Sequence, residues 1–313
     1  MAILQDLKQK TQADLGPVEK RKTKFVDTIY GELCHHPRKF FNTILSFNFL
    51  NFCFLLAIPV AYSWQIISFN RPKEHIWNDI FRWVIKNTLF LSGIKIEFEG
   101  MENVAHGVGV VLSPNHTSYL DGPVVDLVVK SQNIQGPSIV APIPYFPFPF
   151  SFWLRKIGSI DVVRDQEEKE KYPYVHRPKQ AIAQAARSLQ KGECVLIFPE
   201  GHLEKDHHLL YFHTGAVRIA LAAKKDIVPI TIIGASEALP PKKFLLNPGK
   251  IRVIFHKAIN LEKYYGMIDD HTLVKRLTWE LEKDIIENLP KSFIPDSIME
   301  RLPEYIKEKR GWE

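Results

Sequence analysis

Two short apolar runs, residues 108–112 and 194–198, each stop near a proline, Pro114 and Pro199, and polar side chains follow at once. Proline lacks the donor that a strand ladder needs and restricts the residue before it, so both runs read as buried strands with abrupt ends. Helical spacing fills the stretches around them, at residues 75–92, 178–189, 215–225 and 271–289. In the last of these, Leu273, Leu277, Leu281 and Ile285 fall on one face. Strand-like runs at 94–98, 227–233 and 251–255 complete the alternation. The expected fold class is therefore α/β, with a mostly parallel central sheet flanked by helices. In such sheets ligands bind beyond the carboxyl ends of the strands.

At 313 residues, 45% of them hydrophobic, the chain is long enough to bury one large core, a body of roughly 200 to 250 residues plus an accessory element. The net charge of +6 favours anionic partners. Lysine and arginine form no long tail, and neither zinc-finger spacing nor an RNA-binding aromatic motif is present, so a membrane surface or a phosphorylated small molecule is expected and nucleic acid is not. Cys34, Cys53 and Cys194 are far apart and odd in number, which fits buried thiols in a reducing compartment. The first sixteen residues hold no apolar core of the kind that directs secretion, so the main body of the chain is expected in the cytoplasm.

Residues 1–39 are charged, with a basic cluster at Lys20, Arg21, Lys22 and Lys24 suited to anionic headgroups. From Phe40 through Asn70 no Asp, Glu, Lys, Arg or His occurs, a run longer than the roughly 20 residues that cross a bilayer. Asn42, Asn48, Asn51 and Pro59 interrupt it, which leaves three arrangements: a transmembrane helix, two half-helices kinked at Pro59 that dip into one leaflet, or a buried hairpin. The expectation is an N-terminal hydrophobic helical membrane anchor. The division follows as residues 1–92, a basic leader and membrane-associated region, and residues 93–313, an α/β domain with a helical tail. The helix at 75–92 carries Ile76, Ile80, Trp83 or Val84, and Leu91 at helical spacing, but Asp79, Arg82 and Lys86 break the run. It should lie along an interface or against the body. Residues 139–154, with four prolines and a dense set of aromatics, read as a loop that is packed internally, grips a bilayer or lines a hydrocarbon tunnel.

His116 and Asp121 follow the first strand, five residues apart. On a continuous helix that offset separates the side chains by roughly 140 degrees, so contact requires a turn at His116 and a helix starting near Ser118. Asp121 then has two readings. It is a helix-capping residue in a Ser-x-x-Asp box, or a carboxylate that holds one imidazole nitrogen so that the other takes a proton.

Four ordered blocks carry a resemblance: Asn115-His116-Thr117-Ser118-Tyr119-Leu120-Asp121, Gly158-Ser159-Ile160-Asp161-Val162-Val163-Arg164, Phe198-Pro199-Glu200-Gly201 and Val228-Pro229-Ile230. Together they resemble the glycerolipid acyltransferase superfamily, most of all its bacterial 1-acylglycerol-3-phosphate acyltransferases, over roughly residues 94–255. The resemblance implies His116 as general base and Asp121 as the carboxylate that orients it, with Asn115, Ser118, Arg164, Glu200 and Gly201 around the substrate. Arg164 takes the position associated with the acceptor phosphate, where its fork suits two phosphate oxygens. It also implies metal-free transfer without a tightly bound cofactor, the donor being an acyl carrier protein or coenzyme A thioester. The partners are a bilayer and a lysophospholipid acceptor, and the expected location is membrane-associated with a cytoplasmic catalytic domain.

The third block departs from the family pattern, continuing Gly201-His202-Leu203-Glu204 where relatives often carry Thr or Ser and then Arg. His213 stands where a cation is common before the Gly215-Ala216 pair. The expected reaction is acyl transfer to the 2-hydroxyl of 1-acylglycerol 3-phosphate to form phosphatidate. The alternatives are the same chemistry on glycerol 3-phosphate, another lysophospholipid or a glycolipid, and a non-catalytic protein that binds membranes peripherally.

Overall fold

The computed structural model describes residues 55–56, 58–63, 73–105, 107–131, 138–139, 143, 150–163, 166–203, 208–241 and 246–312. Among them six strands form one sheet: β1 (Ile94–Glu99), β2 (Val111–Pro114), β3 (Ser138–Ile139), β4 (Val195–Leu196), β5 (Ile227–Ile233) and β6 (Gly249–Phe255). Their order across the sheet is β1-β6-β5-β2-β4-β3. β2 is buried at all four residues and lies between β5 and β4, parallel to both.

The sheet is mixed, which corrects the mostly parallel sheet expected from the alternation. β6 runs antiparallel to β5, and β1 pairs parallel with β6 at the edge. Among the described residues of the link from β5 to β6, 234–241 and 246–248, the only α-helix is the four-residue one at Ala235–Ala238. A parallel return needs a crossover element that packs across the sheet. Without one the chain turns back, and Ile233 comes to lie opposite Arg252.

Alternation along the strands divides the core between two faces. Leu112, Leu196, Val228, Ile230, Val253 and Phe255 face helices α1 (Lys73–Leu91), α2 (Asp121–Ser131) and α3 (Phe150–Lys156). Val111, Val195 and Ile227 face the other layer. There α4 (Gln166–Lys171) precedes the layer's main helices α5 (Pro178–Gln190), α6 (Gly215–Ala223) and α8 (His271–Ile286), numbering the Ala235–Ala238 helix as α7. Two short helices, α9 (Asp296–Met299) and α10 (Glu304–Arg310), close the chain. In α8 the four residues of the spacing, Leu273, Leu277, Leu281 and Ile285, are all buried, and Asp270 caps the helix by accepting from Leu273 N at 3.0 Å.

α1 lies against the body. Trp77, Phe81, Val84, Ile85 and Leu89 are buried, and Trp77 meets Trp153 of α3 edge-on at 5.0 Å between ring centroids. Arg82 of α1 reaches Asp126 of α2 at 3.4 Å. Of the two candidates at one position of the spacing, Val84 is buried and Trp83 faces outward, in company with Phe90 and Leu91.

The spanning form of the anchor is also corrected: among the described residues no helix is long and apolar enough to cross a membrane. α1 carries Asp79, Arg82 and Lys86, whose charges oppose burial in hydrocarbon. Within the uncharged 40–70 run, only residues 55–56 and 58–63 are described, as helical turns, and the remainder lies outside the described residues. So do the basic cluster at 20–24 and most of the proline-aromatic loop. Two further features are local: residues 166–171 form a helix, and residues 158–163 run outside the six strands, with Val163 N donating to His176 O.

Candidate active site

The site forms where β2 ends. Pro114 closes the strand, and the turn at residues 115–120 leads into α2, whose first residue is Asp121. Asn115 is fully buried and joins this turn to β5: its Nδ2 donates to Ile232 O at 3.0 Å and its Oδ1 accepts from Ile232 N at 2.7 Å. With both ends of the amide engaged, the turn is fixed to the neighbouring strand. Ser118, also buried, donates from Oγ to Leu239 O at 2.9 Å and accepts from Leu120 N at 3.2 Å.

Asp121 is fully buried, and one of its oxygens does both jobs that the spacing allowed. Oδ2 accepts from Thr117 N at 2.7 Å and Ser118 N at 2.8 Å, and His116 Nδ1 lies 3.0 Å away. The two backbone donors fix the carboxylate, and the carboxylate fixes the ring. With Nδ1 as donor, the proton-accepting nitrogen is Nε2, at the far end of the imidazole. The ring stacks on Phe198 at 4.0 Å between centroids, with planes 26° apart, and keeps 18% exposure. Phe198, the last residue of the run read from sequence as a buried strand, is therefore a wall of the site. Its place just before Pro199-Glu200-Gly201, at a strand exit like that of His116, was the available signal.

Glu200 is fully buried, with each oxygen on a backbone donor. His116 N donates to Oε1 at 2.5 Å and Leu210 N donates to Oε2 at 2.8 Å. Burial pushes its carboxyl up to about 8, against the partial offset of those two bonds. Gly201 adopts φ +74, and a Cβ there would stand 3.1 Å from Cδ2 of His213, so glycine suits both the turn and the ring beside it. Arg164 lies outside the described residues. The structure thus brings Asn115, His116, Ser118, Asp121, Glu200 and Gly201 together at the ends of β2 and β4 and beside β5.

His202, His208 and His213 are exposed, and among the described residues no group of three or more His, Cys, Asp or Glu side chains is gathered as metal ligands. Cys194 is buried at the start of β4, and burial pushes its thiol up, away from the reactive thiolate.

Comparison with known proteins adds the family. Residues 95–233 match the family described as Acyltransferase, a span that encloses His116, Asp121, Phe198 and Glu200. The segment that carries the site is thus similar to that acyltransferase family. It is 28% identical over 171 residues to the chloroplastic 1-acyl-sn-glycerol-3-phosphate acyltransferase of Arabidopsis thaliana, which covers 54% of this chain and 45% of the plant protein. It is 24% identical over 233 residues to a 1-acyl-sn-glycerol-3-phosphate acyltransferase of Chlamydomonas reinhardtii, with 71% of this chain and 65% of the algal protein covered. The chain thus spans about half to two thirds of the length of these curated relatives. In fold it is similar to the crystal structure of the 1-acyl-sn-glycerophosphate acyltransferase from Thermotoga maritima, at a TM-score of 0.57 and 16% identity, over 81% of this chain and 98% of that one.

Proposed function

We propose that this protein transfers a fatty acyl group from an acyl thioester, on coenzyme A or acyl carrier protein, to the 2-hydroxyl of 1-acylglycerol 3-phosphate, releasing the thiol and phosphatidate. The observation that carries the reading is the His116 Nδ1 to Asp121 Oδ2 contact of 3.0 Å, with a fully buried carboxylate behind a partly open ring.

In this mechanism Nε2 of His116 takes the acceptor's hydroxyl proton as the oxygen attacks the thioester carbonyl. The C–S bond of the tetrahedral intermediate then breaks, and the imidazolium gives its proton to the departing thiolate, which releases the thiol and restores neutral His116. Asp121 stabilises the imidazolium between the two steps without taking the proton. No covalent acyl-enzyme is required. Asn115, Ser118 and Glu200 act by holding the turn that carries His116, and Arg164 binds the acceptor phosphate. The names of the relatives support this acceptor.

We also propose peripheral attachment to the cytoplasmic face of a membrane through the outward face of α1. Trp83, Phe90 and Leu91 share that face at helical spacing and are 57%, 78% and 40% exposed.

The test is acceptor-dependent thiol release with the product identified as an ester by mass spectrometry. His116→Ala is expected to lower kcat by about 100-fold or more with the protein still folded. Arg164→Ala is expected to raise KM for phosphate-bearing acceptors about tenfold and leave neutral acceptors unchanged. A folded His116→Ala protein at parental rate excludes the assigned base, and equal losses on charged and neutral acceptors exclude the phosphate role.

A further inference from the structure

The family match ends at residue 233, yet the last part of the chain reaches the reaction centre from behind. Glu200 bridges two backbones, His116 N on one side and Leu210 N on the other. Its position is therefore only as fixed as the segment that carries Leu210. Residues 208–212 have no helix or strand of their own, and the C-terminal segment holds them. Leu209 N donates to Phe293 O at 2.7 Å, and Tyr211 Oη donates to Ser297 O at 3.3 Å.

Arg301 ties the arrangement together. Its guanidinium lies 4.6 Å from the ring centre of Tyr211 and 4.8 Å from that of Trp279, and Nη2 is 3.6 Å from Oε2 of the buried Glu282 on α8. One side chain thus joins α8, the C-terminal segment and the loop that fixes Glu200.

We propose that Arg301 is a positioning residue for His116, acting through Tyr211 and the 208–212 loop on Glu200, and through Glu200 on the His116 backbone. The catalytic consequence rests on the acyl-transfer reading above, while the mechanical coupling does not.

The experiment is a double-mutant cycle of Arg301→Met with Glu200→Gln, read by steady-state kinetics and by backbone amide exchange. Met keeps much of the stem and removes the charge and the flat face. Gln sets an NH2 group against one of the two amide donors. Arg301→Met is expected to lower kcat about tenfold with both KM values within about twofold, since a misplaced base slows chemistry without weakening binding. Glu200→Gln is expected to lower kcat further, and the double variant to be no slower than Glu200→Gln alone, because residues in one line of contacts are not additive.

Exchange is expected to quicken at residues 114–120 as well as at 208–213 in Arg301→Met. Losses that multiply in the double variant, a parental kcat in Arg301→Met, or faster exchange confined to 208–213 overturns the proposal. If Arg301→Met does not fold, Arg301→Lys takes its place in the cycle with the same criteria. A parent protein without acyl transfer overturns the functional reading, and the exchange data still decide whether Arg301 holds the His116 turn.

Discussion

Asp121→Asn separates the two tasks that a single oxygen performs. The substitution preserves shape, and Thr117 N and Ser118 N, at 2.7 and 2.8 Å from Oδ2, select the rotamer that leaves the amide oxygen in that place. The NH2 group then occupies the site of Oδ1, which is buried and has no hydrogen-bond partner. One unmatched buried donor costs about 1–3 kcal/mol, which lowers the melting midpoint by several degrees in a chain of this length. His116 Nδ1 keeps an acceptor, so ring orientation survives and the carboxylate charge is what disappears. With charge centres about 4 Å apart and an effective dielectric near 20, that charge stabilises an imidazolium by about 4 kcal/mol, or roughly a thousandfold in kcat. The assay is thiol release against acceptor concentration, alongside a melting curve. The expected result is a kcat lower by about three orders of magnitude with KM nearly constant. A folded Asp121→Asn enzyme within tenfold of the parent would refute the assignment of Asp121 as electrostatic partner of the base.

Other perturbations reach other parts of the framework. Asn115→Ala strips both partners from the Ile232 backbone in a fully buried place, a loss of about 2–4 kcal/mol that should appear as a markedly lower melting midpoint and a weakened site. An unchanged midpoint would mean that the turn holds itself. Glu282 is pushed up to about 7 by burial, with Arg301 partly opposing. A carboxyl raised in the folded state contributes stability that is present below its ordinary value near 4.5 and is lost as pH rises through about 7. Glu282→Gln should therefore flatten the dependence of the melting midpoint on pH across that window, and parallel curves for variant and parent would contradict the shift. Trp83→Glu with Phe90→Glu should reduce binding to anionic vesicles about tenfold or more, given the area of two aromatic side chains. Equal binding would remove α1 from the contact.

Local patterns were legible where one segment decides its own structure. The leucines of α8 fall at helical spacing and are buried, and the five-residue interval from His116 to Asp121 already demanded a turn. Features that depend on distant partners were not legible. The reversal at β6 arises because the described residues of the 234–248 link supply no helix able to cross the sheet, a fact about packing that the strand's own residues do not carry. β3 has two residues and is a strand only because β4 lies beside it. Asn115 reads as a polar residue in a motif, and only the approach of Ile232, 117 positions away, engages both ends of its amide. Glu200 likewise reads as a pocket carboxylate until Leu210 and His116 close on its two oxygens. At α1 the spacing admitted Trp83 or Val84, because helical periodicity identifies a stripe and leaves the side of its edge residues to the neighbouring layer.

The reversed pair β1 and β6 has a practical consequence. Because β1 points opposite to β2, its exit at Glu99 and the loop that leads into Val111 lie on the rim of the sheet away from the reaction centre. Val108 in that loop is 48% exposed. A dye or affinity handle attached there sits a full strand length from the imidazole, so it offers a means of following or immobilising the enzyme while leaving the substrates' approach open.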